Sequence, residues 1–498
     1  MTHDRATMAS RGVWGRRLTL ADFVQALTGW SLNSLDVPIV PVIDSREAQP
    51  GSIFFAFAGE HVDGHAYVND ALVRGAVAAV VQNDVSVPEA VDILDLTVQD
   101  CGPRPVRIPV VVRVGNVLEA LQDAARWWRQ QLAVRIIGVT GSVGKTTTKE
   151  VAAKVLEQRY HVVRSQRSYN NELGLPLTLL SLEAPTGQDV PGSERLRAVL
   201  EMGMYVPGDI RFLCAIARPH VGIVTNVEAV HAEHAGTLDD IARAKRELVE
   251  VLPSDGVAIL NQDDARVRAM ANYTSAAVFT YGLSPEADLW ADDVESLGLQ
   301  GITGRLHYRG EVVPFEAPLL GRHSIYAVLR GAAAGLVEGL TWDEIIEGLA
   351  APGLQLRLVT VRGPHGCLII DDTFNSSPPS AVAALGLLAD LEGRKVAVLG
   401  DMLELGTYER DGHLEVGSRA AEVVEELVVV GPRAQMIAEG AIGRGLPADH
   451  IRWAPDSDAA VDVVRDLLRP GDVMLIKGSH AVQMERIVRV LTEAVSQA

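Results

Sequence analysis

A chain of 498 residues is too long for a single hydrophobic core and predicts about three domains. Its 48% hydrophobic and 22% charged residues are those of an ordinary globular protein, and a net charge of −19 argues against non-specific nucleic-acid binding, which relies on a cationic face. No run of about 18 apolar residues occurs, so membrane insertion is not expected, and Cys101, Cys214 and Cys367, far apart and without a CxxC pair, read as reduced thiols of a cytoplasmic protein.

The basic start, MTHDRATMASRGVWGRR, is not followed by an apolar stretch and reads as a frayed beginning rather than a signal peptide. Residues 1–132 form the first expected domain, in which PIVPVIDSR, SIFFAFAG, AAVVQ and VRIPVVVRV are strand candidates separated by helical stretches. Asp44-Ser45-Arg46, Pro50-Gly51 and Asp63-Gly64-His65 lie between them. Such residues are often only turns. Ser45 and Arg46 at a strand end equally suit a clamp for a phosphate or a pyrimidine edge.

The second expected domain, 133–354, opens on the most informative stretch, RIIGVTGSVGKTTTKE from Arg135 to Glu150. The β-branched run Val134, Ile136, Ile137, Val139 predicts a buried parallel strand. It breaks at Gly141-Ser142-Val143-Gly144, after which helical periodicity runs from Lys145 to Tyr160. Glycines let backbone N–H groups crowd an anion, the helix start adds its positive dipole end, and Lys145 can reach terminal phosphates. Thr146, directly after the lysine, is placed to hold Mg²⁺, with Thr147 beside it. The strict G-x-x-x-x-G-K-[ST] pattern would need glycine at position 139, where this chain has Val139; what stands is a tighter T-G-S-x-G-K-T-T loop. The strand candidates AVLEMG, HVGIVTNV and GVAIL follow, predicting a parallel sheet with right-handed crossovers. Glu201, Asn226 and His231 fall at or just past strand ends, where ligands of such sheets gather.

Pro352-Gly353 marks a hinge. The third domain, 355–498, carries three strand-then-glycine units, KVAVLGDM, EELVVVG and DVMLIKGS, and predicts a doubly wound, Rossmann-like sheet. The fold class expected is therefore α/β in three domains, the central one of P-loop type.

In this order the motifs resemble the Mur ligases, the ATP-dependent amide-forming enzymes of peptidoglycan synthesis, over roughly residues 40–490. The matching residues are Asp44-Ser45-Arg46 and Asp63-Gly64-His65; Thr140 to Thr147; Tyr169-Asn170-Asn171-Glu172; Glu201-Met202-Gly203; Thr225-Asn226 with His231; Ala244-Lys245; and Asn261 with Asp263-Asp264. IIDDTFNSSPPS (369–380), LGDMLELG (399–406) with His413, and Lys477-Gly478-Ser479 resemble the branch that joins D-alanyl-D-alanine to UDP-N-acetylmuramoyl-tripeptide. The chain departs from the family at G-x-H-N-x-x-N, where Ser324 and Ala327 replace asparagines, and at Phe374-Asn375-Ser376-Ser377-Pro378, which stands for Tyr-Asn-Ala-Asn-Pro. These segments line the family's adenine and ribose region.

The resemblance implies two steps: a substrate carboxylate takes the γ-phosphoryl group of ATP, and an amine then displaces phosphate. It implies ATP, two Mg²⁺ sites, UDP-N-acetylmuramoyl-tripeptide and D-alanyl-D-alanine as partners, no nucleic acid, and action as a monomer. Lys145 and a metal on Thr146 serve the nucleotide; Glu201 and His231 hold the second metal, although chemistry alone makes His231 a hydrogen-bonding residue. His231, Glu233 and His234 lack the H-E-x-x-H spacing of a zinc site. From its helix alone Lys245 reads as a solvated lysine beside Arg246 and Glu250; the matching lysine of related ligases can be carbamylated. Asn170 and Asn171 either satisfy their own loop or face the uridine-linked substrate. Asn261, Arg357, Asp372 and Asn375 are implied at the nucleotide; Lys477 and Ser479 either receive the dipeptide's carboxylate or form only a turn. The alternatives are a MurE-like or folylpolyglutamate synthetase-like ligase, and a non-catalytic nucleotide-gated binding protein.

Overall fold

The computed structural model describes residues 15–59, 62–98, 102–165, 169–183, 196–230, 232–354 and 358–496, with residues 494–496 described by their backbone alone. Cys101, His231 and Arg357 lie outside the described residues. The described strands fall into three sheets in a mixed α/β fold dominated by parallel pairs. Among the described residues no helix is long and apolar enough to cross a membrane. The chain divides into two compact units, 1–138 with 160–203 and 209–220, and 139–159 with 204–208 and 221–498.

In the first unit the strands β1 (Val40–Val42), β2 (Ser52–Phe55), β3 (Ala78–Val81), β4 (Asp92–Asp95) and β5 (Val110–Arg113) form an all-parallel sheet in the order β1-β2-β3-β5-β4. Every residue of β2 and β3 is buried, as expected of strands covered on both faces. Asp63-Gly64-His65 proves to be a brace. A Cβ on Gly64 would lie 2.8 Å from the Phe57 carbonyl oxygen, so only glycine fits. The His65 Nδ1–H donates to Asp63 (2.6 Å), and Nε2 accepts from the Gln82 amide at the end of β3 (3.1 Å). The helix Val117–Gln131, capped by Asn116, carries Arg129 inward, where its guanidinium donates to the carbonyls of Ala217, Leu132, Val134 and Arg218. Burial pushes that guanidinium down to about 10. The unit also holds β7 (His161–Arg164) and β8 (Leu196–Glu201), a parallel pair.

The strand β6 (Arg135–Thr140) leads into the second unit. There β9 (Val221–Val224), β10 (Val257–Asn261) and β11 (Ala277–Gly282) run parallel. Beyond them β12 (Leu289–Ser296), β13 (Ile302–Tyr308) and β14 (Glu311–Ala317) turn back as an antiparallel meander, in the order β14-β13-β12-β11-β10-β9. The parallel sheet expected here is present and is extended at one edge by this antiparallel meander. The first half of β12, Leu289 to Asp292, alternates buried with more exposed residues because only one face meets the core.

The last strands of this unit, β15 (Val359–Arg362), β16 (Leu368–Asp372), β17 (Lys395–Gly400), β18 (Glu426–Val430), β19 (Ile451–Ala454) and β20 (Val473–Lys477), form a second sheet in the order β15-β16-β20-β17-β18-β19. All pairs but β15–β16 are parallel. Separate apolar clusters cover its two faces, one around Ile370, Leu385 and Leu475, the other around Ile369, Val398 and Ile476. This is the doubly wound sheet expected from the three strand-then-glycine units.

Candidate active site

The phosphate-type loop is built as its residues predict. Gly141 and Gly144 take φ values of +145° and +82°, and Gly144 precedes the helix Lys145–Leu156, whose start has no side-chain cap. A glycine at that position offers its helix start no side-chain cap, and the amides and dipole end of a helix start suit an anion. A Cβ on Gly141 would lie 1.7 Å from Thr225 Oγ1. This close approach lets the end of β9 strap the loop. The Ser142 amide donates to the Asn226 carbonyl (3.0 Å), the Val143 amide to Asn226 Oδ1 (2.9 Å), and the Thr225 hydroxyl to the Val143 carbonyl (2.7 Å). Ser142 Oγ exchanges hydrogen bonds with the backbone of Glu228 (2.9 and 2.8 Å). Lys145 Nζ folds over the loop, donating to the carbonyls of Gly141 (2.7 Å) and Ser142 (3.1 Å). Thr146 and Thr147 sit in the first turn beside it.

Lys245 departs from the solvated reading. Its helix, Leu238–Glu250, turns it inward to 4% exposure. Burial, with the like charge of Lys145 second, holds its ammonium well below the usual lysine range. An amine so placed has a raised neutral fraction.

On the far side of the loop, Asn261 donates from Nδ2 to the Thr225 carbonyl (3.1 Å) and accepts the Asp263 amide (3.1 Å). Asp264 caps the helix Ala265–Ala269 and also accepts the Val227 amide (2.8 Å). Tyr281, fully buried, donates to the carbonyls of Val224 and Thr225, and burial raises it to about 12. The Tyr326 hydroxyl donates to Asp263 (3.0 Å). Ser324 is turned into its own helix, donating to the Leu320 carbonyl (2.7 Å), and Ala327 is buried.

In the C-terminal sheet Lys477 Nζ, buried at the end of β20, donates to Asp372 (2.6 Å) and to the Asn375 carbonyl (2.8 Å). Three of the expected nucleotide and dipeptide residues are thereby brought together. Burial lowers His323, which faces Asp372 and Lys477. Ser479 Oγ accepts the Leu403 amide (2.9 Å). His413 is fully buried; its Nδ1–H donates to the Glu409 carbonyl (2.7 Å) and its Nε2 accepts the Met402 amide (3.1 Å), so it stays neutral and fixes the LGDM turn.

In the first unit Glu201, 2% exposed at the end of β8, accepts from Asn170 Nδ2 (2.9 Å), which orients its carboxylate. Asn171 accepts the Gly174 amide (2.9 Å) and so begins the helix Gly174–Leu180. Ser45 is buried; Arg46 is exposed and forks onto Asp44 (2.6–3.1 Å), whose carboxyl it holds down at about 2. Among the described residues no group of three or more His, Cys, Asp or Glu could hold a metal ion. The oxygen donors Thr146 and Glu201 nonetheless fit Mg²⁺, which takes one or two protein ligands and completes its shell with water and phosphate.

Asn226, Tyr281 and Arg330 were not singled out for the roles they hold here. Arg330 had one signal: it is the lone charge in the apolar helix IYAVLRGAAAGLV.

A strapped phosphate loop beside a buried lysine, joined to a doubly wound sheet, defines a class that the comparisons make specific. The description "Mur ligase family, catalytic domain" matches residues 42–129, "Mur ligase middle domain" 139–335, and "Mur ligase, glutamate ligase domain" 356–480. The chain belongs to the Mur ligase family. It is 33% identical over 457 residues to the UDP-N-acetylmuramoyl-tripeptide–D-alanyl-D-alanine ligase of Bacillus subtilis (strain 168), spanning 91% of this chain and 92% of that one. The ligase of the same name from Escherichia coli (strain K12) is 32% identical over 489 residues, spanning 96% and 98%. Among solved structures, MurF from Acinetobacter baumannii superposes with a TM-score of 0.79 at 27% identity, covering 97% of this chain and 100% of that one. MurF from Thermotoga maritima in complex with ADP gives 0.73 at 26% identity, covering 92% and 98%.

Proposed function

We infer that this chain is an ATP-dependent ligase that adds D-alanyl-D-alanine to UDP-N-acetylmuramoyl-tripeptide in peptidoglycan precursor synthesis. The observation that carries the reading is the strapped glycine loop, with Lys145 and Thr146 at an uncapped helix start, in a chain alike over nine-tenths of its length to ligases of that name. In the first step an oxygen of the tripeptide's terminal carboxylate attacks the γ-phosphorus and the bond to the β-phosphate oxygen breaks, giving an acyl phosphate and ADP. In the second the dipeptide's amine attacks the acyl carbon, the carbon–oxygen bond breaks, phosphate leaves and the amine loses a proton. The migrating phosphoryl group carries dispersed negative charge, so positioning and neutralisation are the protein's main contributions.

Lys145 and the loop amides from Gly141 to Thr147 bind the triphosphate. Thr146 would hold one Mg²⁺, and Glu201, oriented by Asn170, a second with His231; bound there, the metal would supply charge neutralisation. Lys245, kept partly neutral by burial, is the amine whose nitrogen bonds to the carbon of carbon dioxide and releases one proton to leave a carbamate. Asn261, Arg357, Asp372 and Asn375 serve the nucleotide. Ser45, Arg46 and the Asn170-Asn171 loop serve the uridine-linked substrate, Asn171 by fixing the loop. An ammonium has three N–H donors; Lys477 uses two on Asp372 and Asn375, and the third, with Ser479, is left for the dipeptide's carboxylate. The enzyme acts as a cytoplasmic monomer.

Phosphate release from ATP tests the reading. The protein would be given UDP-N-acetylmuramoyl-tripeptide with and without D-alanyl-D-alanine, and the product weighed by mass spectrometry. Release that needs both, with a pentapeptide product, is the expected result. Release with a single amino acid in place of the dipeptide overturns it.

A further inference from the structure

Arg330 is 5% exposed on the helix Ile325–Val337, a position where a cation is normally paired. Among the described residues its guanidinium meets no carboxylate at ion-pair distance, and its Nε has no hydrogen-bond partner. Its neighbours are the face of Tyr281, 5.9 Å from ring centroid to guanidinium carbon, and Gly144 of the phosphate loop. A Cβ built on Gly144 would lie 3.2 Å from Arg330 Nη2. Two glycines explain how the side chain arrives there. Gly331 and Gly335 let the backbone of this helix approach Val151 and Val155 of the loop helix, where a Cβ would come within 2.5 and 2.8 Å of their methyl groups. Side chains on a helix lean toward its N-terminus, so Arg330, one residue before Gly331, runs back to the start of the loop helix.

A buried cation without a counter-ion is costly, and the cost is relieved when an anion arrives. We propose that Arg330 is a nucleotide-positioning residue: it presses on Gly144 from behind the loop and supplies uncompensated positive charge that a nucleotide's phosphates neutralise. It holds no reacting atom. The proposal rests on the ATP reading above and goes further by assigning part of the phosphate affinity to a residue outside the loop.

The test compares wild-type protein with Arg330→Met and Arg330→Lys, measuring binding of ATP and of adenosine by calorimetry, melting temperature without nucleotide, and KM for ATP against kcat. At an effective dielectric near 20 and a separation of several ångströms, losing the charge should weaken ATP about 10- to 100-fold. Adenosine affinity and kcat should be unchanged, the ligand-free melting temperature of Arg330→Met should be equal or higher, and Arg330→Lys should recover part of the ATP affinity. Wild-type ATP affinity in Arg330→Met overturns the proposal. So does an equal loss for ATP and adenosine, or a lowered ligand-free melting temperature, because each reports a packing role. If wild-type protein binds no ATP, the ATP reading falls and this proposal with it.

Discussion

Replacing Gly141 by alanine should disable the loop without touching any charge. The new methyl group would sit 1.7 Å from Thr225 Oγ1, 2.8 Å from its Cβ and 3.0 Å from its backbone nitrogen. Rotating the threonine removes the first clash but breaks its hydrogen bond to the Val143 carbonyl, a loss of about 1 kcal/mol. The other two contacts remain, because they involve Cβ and backbone, and overpacking of this kind costs about 1–3 kcal/mol. A φ of +145° adds roughly 1–2 kcal/mol for a residue bearing a side chain. The sum is about 3–6 kcal/mol. The chain can avoid it only by moving the loop away from β9, which would break the Ser142 and Val143 bonds to Asn226. The variant should therefore either melt far below wild type or fold with its ATP affinity lowered more than 100-fold. Calorimetric titration with ATP and a urea melt would be run side by side. Adding Thr225→Ala should restore part of whichever quantity was lost, since it removes the nearest atom but not the backbone contact. A Gly141→Ala protein with wild-type melting and wild-type ATP binding would refute the strapped-loop argument.

Lys245→Met should abolish turnover. It should also flatten the pH dependence of stability: the folded ammonium is lowered while the unfolded one is not, so the unfolded chain binds more protons over the interval between them, and wild-type stability rises with pH there. Urea midpoints in carbon-dioxide-free buffer from pH 7 to 10 check this; parallel curves for the two proteins would remove the buried-lysine account. Lys477→Met strands Asp372, whose side chain is 11% exposed, and should cost about 3–5 kcal/mol in urea melts, with Asp372→Asn in the same chain returning part of it. Arg129→Met removes the donor shared by four carbonyls, three of these bonds buried, and should cost about 2–4 kcal/mol, with ATP affinity unchanged as the control.

The sequence made the loop legible because its signal is local: a β-branched run, glycines at fixed offsets and a helix start occupy sixteen consecutive residues. The centre of the doubly wound sheet was legible for the same reason, β17, β18 and β20 each being a buried run stopped by glycine. The antiparallel meander from Leu289 to Ala317 was not read. Its strands carry Asp, Glu and Arg on the open face, and their alternation is weaker evidence than a continuous apolar run. Lys245 was misjudged because Arg246 and Glu250, its neighbours in sequence, do pair with each other (2.7 Å) at the helix surface, while the helix turns Lys245 the other way. Asn171 and His65 show a further limit: a motif residue can be required for the shape of the site rather than for contact with substrate.

The placement of charge explains how a protein with a net charge of −19 can accept a polyanionic nucleotide. Surface charges more than about 10 Å from a bound phosphate are largely screened at physiological salt. Buried charges are not. Lys245 and Arg330 are both buried beside the loop, at 4% and 5% exposure, but burial and Lys145 push the first toward its neutral amine, so the lasting positive charge is that of Arg330. Neither of the two is ion-paired with a described acidic side chain in the manner of Lys477 and Asp372, and each keeps its place through helix packing instead. Positive charge held without local compensation is unfavourable in the ligand-free protein and is relieved on binding, so part of the folding free energy is converted into nucleotide affinity. Neutralising Arg330 should therefore lower affinity for ATP more than it lowers stability, whereas breaking the Lys477–Asp372 pair should lower stability more than affinity.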